Sequence, residues 1–133
     1  MINKQRLRRL LSPKSIAVFG SRGADFAIRE SLAMGFEGPI WSVHPQREQL
    51  MGIKCLQSVT DLPQAPDAAY VAVNAESAIT TVAQLNEMGA GGALLYASGF
   101  SELGDEIKTV GLDRQQRLIA AAGDMPIIGP NCY

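Results

Sequence analysis

The chain has 133 residues, 47% hydrophobic and 19% charged, with a formal net charge of −1. That length suits one domain with a real core, and the composition is ordinary for a globular protein. The near-neutral charge argues against a nucleic-acid binder driven by bulk charge. No apolar run approaches the roughly 20 residues of a membrane span, and two cysteines with one histidine make no zinc-ligand set.

The N-terminal segment is basic, with Lys4, Arg6, Arg8, Arg9 and Lys14 and no acid before Asp25. Leu7, Leu10 and Leu11 fall at i, i+3, i+4, which predicts a leading helix within residues 1–12, packed by its leucines with its basic face in water. Five short apolar runs then have strand character: Ser15–Phe19, Ile40–Val43, Ala68–Val73, Ala93–Ala97 and Pro126–Ile128. Between them lie helical stretches at Asp25–Met34, Glu76–Met88 and Leu112–Ala122. Each is followed by a glycine stop, Gly35, Gly89 and Gly123, because glycine takes the left-handed conformation at a helix end without a Cβ clash. The segment from Pro45 to Asp67 is less regular. A short helix is expected near Gln46–Met51 and an extended piece near Ile53–Leu56. Trp41 reads as core or interface, and Cys55 and Cys132 as reduced thiols of a cytoplasmic protein.

Alternating strands and helices predict an α/β fold: a Rossmann-like, doubly wound, mainly parallel five-stranded sheet with helices on both faces and strand order 3-2-1-4-5. The strands are near-continuous apolar runs, as buried parallel strands are. The chain reaches its last residues through Ile127-Ile128-Gly129-Pro130-Asn131, a strand entering a turn with no covering helix after it. That pattern predicts one domain, residues 1–133, belonging to a larger polypeptide or assembly.

In an open α/β sheet, ligands bind beyond the carboxyl ends of the strands. Here those ends are Gly20-Ser21-Arg22-Gly23, His44-Pro45, Asn74-Ala75, Ser98-Gly99-Phe100 and Gly129-Pro130-Asn131, all small, polar or turn-forming. The first leads into a helix whose free N–H groups suit a phosphate, and Arg22 adds a charge beside it. Two features speak against NAD: the loop is G-x-x-G, and the second strand ends without the Asp or Glu that would bind a ribose 2′-hydroxyl. His44-Pro45 stands there instead, with Gln46 and Arg47 just beyond, which suits a ligand with a phosphorylated ribose, either NADP or coenzyme A.

The stretch Leu11-Ser12-Pro13-Lys14-Ser15-Ile16-Ala17-Val18-Phe19-Gly20 resembles the opening of the CoA-binding domain of NDP-forming acyl-CoA synthetases, the group related to the α subunit of succinyl-CoA synthetase. Further matches follow in order: Gly35-Phe36-Glu37-Gly38-Pro39-Ile40 with Val43-His44-Pro45, Asp61-Leu62-Pro63, Pro66–Val73, Ala97–Gly104 and Ile128–Cys132. The resemblance implies a CoA-binding module of a multidomain ligase that converts acyl-CoA, phosphate and NDP to carboxylate, CoA and NTP through a phosphohistidine. It implies that Ser21, Arg22, Gly23 and Ala24 contact the CoA phosphates, and that Arg47 stands near the family's basic residue. Ser98, Gly99 and Phe100 would border the pantetheine arm, and Asn131 would lie at its thiol end.

Three departures stand out. The Gly20 loop reaches its helix sooner than the family's, with Ala24 about where a later glycine falls; His44 replaces a common Asn, and Asn74 a common Pro. The phosphorylated histidine and the ATP-grasp domains lie in other parts of such ligases, so no catalytic residue is expected in this chain, and ATP or ADP would act only through those parts. His44 then reads as a pocket wall or a plain loop residue. Other expectations stay open: a CoA-binding domain fused to a protein-lysine acetyltransferase, a stand-alone CoA or NAD(P) sensor, and self-association.

Overall fold

The computed structural model describes residues 3–20, 22–96 and 105–129, with side chains throughout except at 22 and 105–112. The elements are α1 (Lys4–Leu11), β1 (Ile16–Phe19), α2 (Arg22–Ala33), β2 (Ile40–Val43), β3 (Gln49–Leu50), β4 (Ile53–Leu56), a 3-10 turn at Val59–Asp61, β5 (Ala68–Val71), α3 (Ala75–Met88), β6 (Gly92–Leu95), α4 (Asp105–Ala122) and β7 (Ile127–Ile128). The strands form one sheet in the order β3-β4-β2-β1-β5-β6-β7. All neighbours pair in parallel except β3, which runs antiparallel to β4. The α/β, mainly parallel architecture is the one the sequence predicts.

The strand count differs from five because the irregular segment contributes two more. Where a short helix is expected, the chain makes a hairpin instead: β3 turns into β4 through Met51 (φ 51°) and Gly52 (φ 80°). Two successive positive φ angles match the right-handed twist of a hairpin, which a helix at Gln46–Met51 would forbid. β4 then pairs with β2 and takes third place in the expected 3-2-1-4-5 order. Among the five apolar runs, Ala68–Val71 therefore lies against β1, with Ile16 opposite Ala68 and Phe19 opposite Val71.

Side chains alternate between the sheet faces with the period of two that a strand imposes. Ala17, Phe19, Ala69, Val71, Ala93 and Leu95 join Val82 and Leu85 of α3 and Leu118 and Ala122 of α4 in the larger core. Val18 turns the other way and packs with Ala24 and Ile28 of α2. α4 uses Leu118 and Ala122 as its buried stripe and leaves Ile119 58% exposed. The α2 face of the sheet is incompletely covered: Leu94 and Ile128, opposite each other on β6 and β7, stay partly exposed.

The leading helix departs from expectation in its charges. Leu10 is buried, but Leu11 is 66% exposed, and the arginines do not simply face water. Arg6 donates to the Ala90 carbonyl, Asn86 Oδ1 and Asp124 Oδ1. Arg9 donates to Asp67 Oδ1 at 2.7 Å and to the Gly89 carbonyl. A helix too short to be stable alone is thus tied across three connections. Partial burial pushes the Asp67 carboxyl up, but the Arg9 hydrogen bond, the Lys14 N–H and both nearby charges more than offset it and hold the group below its usual range.

Candidate functional site

The chain winds from β1 outward to β2 and β4, then crosses back to β5 on the other side of β1. Loops leaving β1 and β5 therefore diverge, and such a switch point opens a crevice at the carboxyl ends. An open cleft of about 760 Å³ lies there. It is lined by Phe19 and Gly20 after β1, Val43, His44, Pro45 and Gln46 after β2, Gln57, Ser58 and Val59 after β4, and Ala72, Val73 and Asn74 after β5. α3 completes it with Glu76, Ser77, Thr80, Thr81 and Gln84.

Local chemistry fixes each wall. Gly20 has φ +115°, and a Cβ there would run into the Ala72 carbonyl oxygen, so only glycine lets the β1 exit lie this close to the β5 exit. Asn74 caps α3: its Oδ1 accepts the Ser77 N–H at 2.9 Å. His44 does the same for its own loop, with Nδ1 accepting the Gln46 and Arg47 N–H groups at 3.0 Å each. Its backbone N–H donates to the Leu56 carbonyl, which ties the loop to β4. At the rim, Arg117 grips both Glu76 oxygens at 2.9 and 2.6 Å, and Arg114 donates to Oε2 at 3.0 Å. Chiefly through the Arg117 hydrogen bonds, opposed by desolvation and helped by the Arg114 hydrogen bond and both guanidinium charges, the Glu76 carboxyl is pulled down to about 2. No cluster of His, Cys, Asp and Glu suited to a metal occurs among the described residues, and none of their helices is long and apolar enough to cross a membrane.

Residues 14–133 match the family described as the CoA binding domain. The chain belongs to that family. It is 38% identical to a trans-feruloyl-CoA synthase from an unknown prokaryotic organism, across 98% of this chain and 19% of that protein. It is 35% identical to the ADP-forming acetate–CoA ligase II of Archaeoglobus fulgidus, across 94% of this chain and 19% of that protein. Among solved structures it is similar to the dinucleotide-forming acetyl-coenzyme A synthetase 1 of Ca. Korarchaeum cryptofilum in complex with phosphate and ADP. That match has a TM-score of 0.82 and 29% identity, over 96% of this chain and 28% of the other. The chain spans about a fifth of the length of these curated relatives.

In this CoA-binding domain the structure brings Gly20, His44, Pro45 and Asn74 to one cleft. Arg47 lines the adjoining depression beside the β3–β4 hairpin instead, with Lys54 and Asp61. Gly23 sits in the first turn of α2, where an added Cβ would come within 2.5 Å of the Ala72 Cβ, so close helix–strand packing accounts for it. Ala24 is fully buried against the α2 core. Arg22 begins α2, and its side chain is not among those described. Ser21, Ser98, Gly99, Phe100 and Asn131 lie outside the described residues, as does Cys132. Cys55 is buried as a free thiol, 3.4 Å from the Ser42 hydroxyl. Sequence reasoning missed the long wall of α3. Its signal was present: Asn74, Ser77, Thr81 and Gln84 recur at helical spacing along the flank of the buried Ala78, Val82 and Leu85.

Proposed function

We propose that this CoA-binding domain holds coenzyme A for an NDP-forming acyl-CoA synthetase, an acid–thiol ligase that interconverts acyl-CoA, phosphate and NDP with carboxylate, CoA and NTP. The observation that carries the reading is the open cleft at the switch point of the sheet, in a chain 38% and 35% identical to a trans-feruloyl-CoA synthase and an ADP-forming acetate–CoA ligase. In this reading residues 1–133 form one domain, whose role is to bind and orient. Gly20 keeps the β1 exit low, Asn74 and His44 hold the loops on either side, and α3 offers hydroxyls and amides along the ligand. Ser21, Arg22, Gly23 and Ala24 are assigned to the phosphates, with Gly23 and Ala24 acting through the placement of the α2 start. Arg47 is assigned to the phosphorylated ribose from the neighbouring depression, while Ser98, Gly99 and Phe100 border the pantetheine and Asn131 its thiol.

The phosphohistidine and the ATP-grasp nucleotide site would come from other domains of the same chain or from a partner subunit, and the protein would work in the cytoplasm. Alone, this chain would bind CoA and turn nothing over. Calorimetric titration of the chain with CoA tests the reading. Binding with a dissociation constant of roughly 1 μM to 1 mM is expected, the span of ordinary metabolite sites. No heat with CoA or acyl-CoA at millimolar concentration would sink it.

A further inference from the structure

The lining of the cleft mixes polar and apolar side chains and contains no lysine or arginine among the described residues, and its one carboxylate, Glu76, is already held by Arg114 and Arg117. A phosphate-bearing ligand entering it needs a donor, and the His44 ring is set up to be one. Both groups at Nδ1 are backbone N–H donors, so Nδ1 must accept and the ring proton of the neutral imidazole stands on Nε2. An asparagine would cap the turn equally well through its Oδ1 but would keep its Nδ2 donor close beside the cap; what the imidazole adds is a donor nitrogen farther out, on the far side of the ring. That atom has no protein partner among the described residues, and the half-buried ring belongs to the cleft wall at the end of β2. In this fold class the end of the second strand reads the ribose of a bound nucleotide.

We propose that His44, locked as the Nε2–H tautomer by its own loop, is a specificity-determining donor that hydrogen-bonds the 3′-phosphate on the ribose of coenzyme A. The proposal rests on the CoA reading above and sharpens it: the turn cap is the device that aims the ring, and the selected feature is the phosphate that separates CoA from dephospho-CoA. A charge-assisted bond of this kind to a phosphate oxygen is short and strong.

Titration of the full chain with CoA and with dephospho-CoA tests it. Wild type is expected to prefer CoA. His44→Asn keeps the caps on Gln46 and Arg47, so its melting temperature and its affinity for dephospho-CoA are expected to hold. Its affinity for CoA should fall about tenfold or more, as expected for losing a hydrogen bond to a charged group. A variant that still binds CoA as tightly as wild type overturns the inference and leaves the CoA reading standing. A wild type that binds neither ligand overturns the CoA reading itself. Nitrogen NMR of the wild type supplies an independent readout should the variant not fold. An Nε2–H tautomer whose signal moves with CoA but not with dephospho-CoA supports the proposal; an Nδ1–H tautomer, or equal shifts with both ligands, overturns it.

Discussion

Two glycines that look alike in the sequence do different physical work. Gly35 follows α2 with φ +84° and has nothing within 4 Å of where a Cβ would stand. Alanine there meets only the backbone penalty of the left-handed region, roughly 1–2 kcal/mol. Gly23 lies in the α2 helix with Ala72 and Tyr70 pressed against it. Alanine there must push α2 off the β5 exit. Gly23→Ala is expected to lower stability by about 1–3 kcal/mol, the usual cost of overpacking. A lower denaturation midpoint at unchanged slope would report that loss. Because α2 begins beside Gly20, it should also weaken CoA binding, whereas Gly35→Ala should leave binding alone. Equal binding by both variants would mean that the start of α2 does not shape the site. The sequence marked both positions as glycine; only the neighbours of Gly23 reveal which one sets the distance between helix and sheet.

Among elements, the pairing of α3 with α4 carries the most charge. Glu76, in the first turn of α3, meets Arg114 and Arg117 of α4, and Asp113 reaches Arg117 along α4 itself. The Glu76 carboxyl sits at about 2 against an ordinary 4.5. A depressed carboxylate favours the folded state when charged. The tie is therefore fully present above pH 4.5 and is lost as the pH falls through about 2. The carboxyl resonance of Glu76 should titrate near that value in wild type and move up toward 4.5 in Arg117→Ala. Because the groups are exposed, molar salt should move it the same way; a wild-type midpoint already at the ordinary value would remove the tie from the account. The helices and parallel strands were legible in the sequence because apolar runs, helical spacing and the stops at Gly35, Gly89 and Gly123 all agree, and each of those glycines has a positive φ. The β3–β4 hairpin was not, since Met51-Gly52 lacks the Asn-Gly or Asp-Gly signal that normally announces such a turn. The polar wall of α3 was hidden for another reason: Ser77, Thr81 and Gln84 read from sequence as an ordinary solvated helix face, and only the crossing back from β4 to β5 turns that face into a cleft.

At the scale of the whole molecule, the cleft joins parts that the sheet alone leaves independent. Its lining comes from the exits of β1, β2, β4 and β5 and from α3, so a ligand filling it contacts loops on both sides of the switch point at once. Such a ligand binds the folded chain and has no comparable site in the unfolded one, because Gly20, His44 and Asn74 converge only through the sheet. Mass action then requires CoA to raise the apparent stability, by about 2.7 kcal/mol at a hundredfold excess over its dissociation constant. For a domain of this size that corresponds to an upward shift of the melting temperature on the order of 10 °C. Thermal unfolding followed with increasing CoA checks this, with the concentration scale taken from calorimetry. The shift should grow with the logarithm of CoA once the site is saturated. Pantetheine, which lacks the nucleotide, should produce a smaller shift at equal concentration if, as proposed, the nucleotide occupies the β2 side of the cleft. A melting temperature that stays flat under saturating CoA would separate binding from folding. It would move the ligand off the convergent loops and onto a surface that exists without them.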